Sequence, residues 1–223
     1  MKLIEYADRD MLFINLAQQI AGEMENILFH DEAISLAVPG GTTPGPLFDN
    51  LSAADLDWAR VSVLPTDERW VPEGSARSNA GLIRERLITN RANEATYLSL
   101  YEPADEPETG LPAVTDRIAN ALPLSILVLG MGGDMHTASL FPGADQLDAA
   151  LDANAPPLMA MRAPGAPEPR VTLTAPVLQA AMNTHILITG PEKRDALERA
   201  QNNTPQDAPV KVVLANATVH WAA

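Results

Sequence analysis

The sequence predicts an α/β fold, a single-domain three-layer sandwich with a mostly parallel, Rossmann-like sheet. Three observations predict it. Short apolar runs of strand length alternate with longer segments whose apolar residues recur at helical spacing. Most of those runs end in a polar turn carrying Gly or Pro just before a helix. The chain has 223 residues and 46% hydrophobic content, enough for one sizeable core, and no repeat or linker divides residues 1–223.

In order, Asp8 to Phe29 predicts a helix, because Leu12, Leu16, Ile20, Met24 and Ile27 fall on one face and Asp8 can cap it. Ala33 to Val38 is a short apolar strand. It runs into Pro39-Gly40-Gly41-Thr42-Thr43-Pro44, where Thr43 is the expected N-cap and Pro44 the first helical residue. Val61 to Pro65 is a second strand, followed by Thr66-Asp67-Glu68-Arg69-Trp70. Asp67 and Arg69 alternate, so an extended backbone puts them on one face. Ser78 can cap a helix from Asn79 to Leu87. Tyr101 to Gly110 reads as an acidic loop and Leu111 to Leu122 as a helix.

Ser125 to Leu129 is the third strand, leading into Gly130-Met131-Gly132-Gly133-Asp134-Met135-His136. Asp145, Asp148 and Asp152 lie along a helix with a solvated face, and Leu158 to Met161 is a strand candidate. The segment Arg162 to Arg170 is Pro-rich and hence an irregular loop. Val171 to Thr174 follows, and Thr174 is placed to cap a helix from Ala175 to Met182. Thr184 to Thr189 is a strand, and Gly190-Pro191-Glu192-Lys193 opens a helix to Ala200. A helix around Val210 to Leu214 and a strand from Thr218 to Trp221 close the chain.

Charge and composition exclude several function classes. Fifteen Lys and Arg against 29 Asp and Glu give a net charge of −14, which repels nucleic acid and anionic membranes. An anionic small molecule would have to be held by a few local cations and backbone N–H groups. Without cysteine there is no disulfide or thiolate chemistry. No apolar run reaches membrane-spanning length and the N-terminus lacks a signal-peptide core, so a cytoplasmic monomer or homodimer is expected. His30, His185 and His220 show no metal-ligand spacing with His136, so no metal is expected. His185 reads as a packed strand residue and His30 as a helix-end residue.

In parallel sheets ligands bind at the carboxyl ends of strands. Pro39–Thr43, Asp67–Arg69, Gly130–His136 and Gly190–Lys193 all follow such ends. The prediction is that Asp67, Arg69, Asp134, His136 and Lys193 meet on one edge, with Arg170 beside them if its loop folds over. Lys193 in a first helical turn opposes the dipole, which suggests that its charge answers an anion. A loop His with a neighbouring Asp, several cations and an anion-binding turn suggests water-mediated or proton-transfer chemistry on a phosphorylated small molecule.

These segments, with Ser78-Asn79, Arg170-Val171-Thr172-Leu173-Thr174 and the run His136-Thr137-Ala138-Ser139-Leu140-Phe141-Pro142, resemble the 6-phosphogluconolactonases, relatives of the glucosamine-6-phosphate deaminases and isomerases. The resemblance runs in order from near Ala33 to Ala200. It implies a sugar-phosphate isomerase type of fold and hydrolysis of 6-phospho-D-glucono-1,5-lactone, with no metal or organic cofactor. By that resemblance His136 is the general base. Asp134 orients it or binds sugar hydroxyls, and Asp67 and Arg69 contact the sugar or the oxyanion. Gly40, Gly41, Thr42, Thr43, Arg170 and Lys193 hold the phosphate, and Asn79 joins the binding residues. The family commonly has Gly where Met135 stands. A left-handed backbone there would cost Met roughly 1–2 kcal/mol.

Two alternatives compete. A glucosamine-6-phosphate deaminase resembles this chain but carries an aromatic residue where Arg69 stands. A non-catalytic sugar-phosphate-binding regulator would bring a DNA-binding helical domain in front, which this sequence lacks, and its charge opposes DNA.

Overall fold

The computed structural model describes all residues, 1–223. Its strands are β1 (Lys2–Glu5), β2 (Ile34–Val38), β3 (Val61–Pro65), β4 (Asp67–Arg69), β5 (Thr96–Tyr97), β6 (Ile126–Leu129), β7 (Leu158–Met161), β8 (Arg170–Leu173), β9 (Asn183–Thr189) and β10 (Thr218–Ala222). Its helices are α1 (Arg9–Leu28), α2 (Gly45–Ser52), α3 (Asn79–Arg86), α4 (Pro107–Ile118), α5 (Leu147–Leu151), α6 (Ala175–Gln179), α7 (Pro191–Asn202) and α8 (Lys211–Leu214).

Seven strands form one sheet in the order β1-β10-β9-β6-β2-β3-β5. All its pairings are parallel, so the main sheet is more uniform than the mostly parallel one expected. Successive side chains alternate between two packed layers. Leu36, Val63, Ile126, Val128 and Leu187 join the core under α1, α2 and α3. Ala37, Leu64, Leu127, Leu129 and Ile186 join the core under α4, α6, α7 and α8. Both faces are therefore dry, which is why the central strands read as continuous apolar runs. Each fully buried Leu or Phe, such as Leu16 and Phe48, contributes about 1.5–3 kcal/mol of transfer free energy.

The antiparallel pairing lies apart, in a small sheet ordered β4-β8-β7. It hangs from the end of β3. Thr66 N–H donates to Val38 O at 2.9 Å, and Thr66 O accepts from Leu173 N at 3.0 Å. This sheet brings in Arg170, which is the first residue of a strand rather than the end of a loop.

Several expectations are corrected. Helix α2 starts at Gly45 with Pro44 as its N-cap residue, and no side chain caps it, so Thr43 lies outside the helix in the cleft loop. Helix α4 starts at Pro107, four residues before Leu111, because Pro at a first helical position is well tolerated. Part of the acidic loop is thus its first turn. Helix α6 ends at Gln179, short of Met182. Thr174 occupies the cap position, but its hydroxyl donates to Pro156 O at 2.7 Å instead. Strand β1 escaped the sequence reading because only four half-exposed residues form it. The Asp8 and Ser78 caps are both formed, to Met11 N and Ala80 N.

Candidate active site

The carboxyl ends of β2, β3, β6 and β9 open into one cleft. It is lined by Gly40, Gly41, Thr42, Thr43, Asp67, Arg69, Asn79, His136, Arg170 and Lys193. Of the site residues expected from sequence, Asp134 alone does not line it.

Asp134 stands behind His136. Its Oδ1 is 2.5 Å from His136 Nδ1 and also accepts the His136 backbone N–H at 3.2 Å. Burial acts to raise the Asp134 carboxyl, but the charge and hydrogen bonds of His136 outweigh it and hold the group below its usual range. A carboxylate only accepts, so the proton of this contact belongs to Nδ1, and in the neutral ring Nε2 is then the nitrogen with the lone pair. The ring packs on Phe141 with centroids 4.1 Å apart. Gly132 is the floor of this pair. A Cβ there would lie 2.1 Å from His136 Nδ1 and 2.2 Å from Asp134 Oδ1, so a larger residue would displace both.

The wall across the cleft is built on Glu68, which the sequence reading passed over. Its buried carboxylate accepts the N–H groups of Arg69 (2.8 Å), Asn79 (2.7 Å) and Ala80 (2.9 Å) and the Ser78 hydroxyl (2.9 Å). Burial raises its pKa despite those donors. It therefore caps α3 from outside the helix and fixes Asn79, whose Nδ2 donates to Asp67 O at 2.8 Å. Asn79 in turn requires Gly40: a Cβ on residue 40 would come within 1.9 Å of Asn79 Oδ1.

Asp67 and Arg69 do not pair with each other. The Asp67 carboxylate accepts the Ser139 hydroxyl at 2.5 Å and lies 3.7 Å from Arg170 Nη1. Arg69 donates from Nη1 to Arg77 O at 2.5 Å. Arg69 and Arg170 face each other across β4 and β8 in the antiparallel register. The Nε of each is buried without a hydrogen-bond partner. Burial pulls the Arg170 guanidinium below its ordinary range, with Asp67 opposing and Arg69 adding to the fall.

Beside Asn79, the turn after β2 forms an anion cradle. The backbone N–H groups of Gly40, Gly41, Thr42 and Thr43 make no hydrogen bond within the chain. Lys193, half-buried in the first turn of α7, has no carboxylate partner. Free N–H groups at a strand-to-helix turn with a cation beside them suit a phosphate. No group of three or more His, Asp or Glu side chains is arranged to hold a metal ion.

A family model described as glucosamine-6-phosphate isomerases/6-phosphogluconolactonase matches residues 7–221. The chain belongs to this family. A 6-phosphogluconolactonase of Pseudomonas aeruginosa is 39% identical over 210 residues, covering 92% of this chain and 88% of that protein. One from Rhizobium meliloti is 37% identical over 214 residues, covering 93% and 92%. The crystal structure of a 6-phosphogluconolactonase from Shewanella baltica superposes with a TM-score of 0.96 at 30% identity, covering 100% of this chain and 98% of that one. A monomeric glucosamine-6-phosphate deaminase matches at TM-score 0.81 but only 16% identity, which shows a shared fold alone. No helix is long and apolar enough to cross a membrane.

Proposed function

We propose that the chain is a 6-phosphogluconolactonase, hydrolysing 6-phospho-D-glucono-1,5-lactone to 6-phospho-D-gluconate in the oxidative pentose phosphate pathway. The observation that carries this is that one cleft is lined both by His136, its Nδ1 against Asp134, and by a turn whose backbone N–H groups have no partner within the chain.

The phosphate binds the N–H groups of Gly40 to Thr43, with Lys193 and Arg170 neutralising its charge. That fixes the lactone carbonyl near His136. Nε2 takes a proton from water as the water oxygen attacks C1. The carbonyl π pair moves onto oxygen, and Arg69 stabilises the oxyanion as it forms. Collapse of the tetrahedral adduct breaks the C1–ring oxygen bond. The imidazolium returns its proton to that oxygen, which becomes the C5 hydroxyl. Asp134 holds the imidazole tautomer and stabilises the imidazolium, rather than binding sugar. Asp67, held by Ser139, orients the sugar hydroxyls beside Arg170. The acidic surface and the absence of cysteine fit a cytoplasmic enzyme acting on a small metabolite.

The test generates the lactone in situ with glucose-6-phosphate dehydrogenase and follows its disappearance. Acceleration over spontaneous hydrolysis is expected. No acceleration sinks the proposal, and ammonia release from glucosamine 6-phosphate would support the deaminase reading in its place.

A further inference from the structure

The His136 loop is gripped from outside the cleft. Met135 has φ 67°, the left-handed region that a non-glycine side chain disfavours. Three contacts from the end of α7 and the segment after it reach this loop. Arg199 Nη2 donates to Gly133 O at 3.0 Å. Val210 N–H donates to Met135 O at 3.1 Å. Asn203 Nδ2 donates to Met135 Sδ at 3.7 Å, and the Met135 side chain packs on the core beneath. None of Arg199, Asn203 and Val210 lines the cleft.

The gripping segment is itself fixed. Lys211 Nζ donates to Gln201 O at 3.2 Å and to Asn203 O, and Ala208 N–H donates to Thr204 O at 2.9 Å. The contacts fall on Gly133 and Met135, on either side of Asp134. Asp134 itself is exposed and has no side-chain partner but His136. An Asp on a Gly-rich loop has many backbone states open to it. Holding the residues before and after it leaves few.

We propose that Arg199, Asn203 and Met135 are positioning residues, forming a clamp that fixes Asp134 and thereby aims the His136 imidazole. In this chain the Met135 side chain does what a glycine at that position cannot: its thioether and its packing tie the left-handed turn to the α7–α8 segment. The inference rests on His136 as the general base.

The experiment compares wild type with Arg199→Ala/Asn203→Ala, Met135→Gly, Arg199→Lys and His136→Ala. The kinetic readout is kcat against KM. Loss of aim of about an ångström costs kcat on the order of ten- to a hundredfold. The double variant should show that loss with KM within about twofold of wild type. Met135→Gly should lose kcat even though it relieves the backbone strain. Arg199→Lys, which can still donate to Gly133 O, should keep most of the wild-type kcat. The second readout does not depend on activity. The short Asp134–His136 hydrogen bond should give a downfield imidazole N–H resonance by NMR, absent in His136→Ala and broadened or lost in the double variant. A double variant with wild-type kcat and an unchanged resonance overturns the clamp. Loss of the resonance without any lactonase activity in wild type keeps the clamp and discards the lactonase assignment.

Discussion

Arg69 and Arg170 stand directly opposite each other across the antiparallel strands β4 and β8, with the Asp67 carboxylate 3.7 Å from Arg170 Nη1. Like charges in that position destabilise a strand pair. Each guanidinium also keeps a buried Nε without a partner. The arrangement makes sense when an anion is bound between them and the cradle at Gly40–Thr43. Product or inorganic phosphate should therefore raise the thermal midpoint of the wild type. In Arg170→Ala that shift should shrink, and KM for the lactone should rise on the order of tenfold, since a charge-assisted bond to phosphate contributes about 1.5–3 kcal/mol. Thermal melts with and without phosphate, together with steady-state kinetics, decide this. An unchanged KM in both Arg170→Ala and Lys193→Ala would put the phosphate elsewhere.

His136→Ala should lose a factor of about 10²–10⁴ in kcat while folding normally, the range for removing a positioned general base. Asp134→Asn should lose less but still lose kcat rather than raise KM. An Asn amide can donate to Nδ1, which favours the tautomer whose proton sits on Nε2, and Nε2 then has no lone pair for water. Near-wild-type kcat in His136→Ala would show that another group takes the proton from water.

The parts of the fold legible in the sequence were those set by short-range rules. The apolar runs of β2, β3, β6 and β9 announced a sheet buried on both faces, and Asp8 and Ser78 announced their helix starts. Segments following those runs had to share one edge, which brings Gly40 to Thr43, Asp67, Arg69, His136 and Lys193 to the cleft, while Asn79 and Arg170 reach it from α3 and from the small sheet. Illegible were the features set by contacts between distant residues. Nothing local marks Glu68 as the cap of a helix eleven residues on, or Ser139 as the donor to Asp67, 72 positions away. The start of α2 was misplaced because Thr-Pro resembles a cap, while Pro44 takes the cap position and Thr43 stays in the cleft loop.

Gly132→Ala should be more damaging to activity than to stability. The added methyl would sit about where His136 Nδ1 and Asp134 Oδ1 now meet, 2.1 and 2.2 Å away. The two side chains can swing outward, since Asp134 is exposed, so the fold survives while the pair separates. The expected result is a kcat loss of at least tenfold, on the scale of about an ångström of misplacement, with a thermal midpoint near wild type. A fully active Gly132→Ala protein would mean that the Asp134–His136 contact is dispensable.

A second set of histidines, remote from the cleft, should govern acid stability. Tyr6 Oη lies 2.8 Å from His220 Nδ1. His220 Nε2 lies 3.1 Å from His185 Nδ1, and His185 Nε2 lies 2.8 Å from Glu23 Oε2. This chain of contacts joins α1, β9, β10 and the residue after β1. Burial pushes the His220 imidazole down to about 3, with the charges of His185 and Lys2 adding and that of Glu23 opposing. Burial acts to raise the Glu23 carboxyl, but its hydrogen bond and charge interaction with His185, helped by Gln19, hold it below its ordinary range.

The signs agree. Between pH 6.5 and about 3 the unfolded chain protonates His220 and the folded chain does not, so stability falls as pH falls through that window. Glu23 adds a further loss at lower pH, as it is forced to protonate. From pH 7 to pH 5 the His220 contribution alone amounts to about 2 kcal/mol. In urea unfolding across that range, wild type should lose stability steeply, whereas His220→Gln should show a much flatter slope whatever its absolute stability. Equal slopes in the two proteins would mean that His220 is already protonated in the folded state.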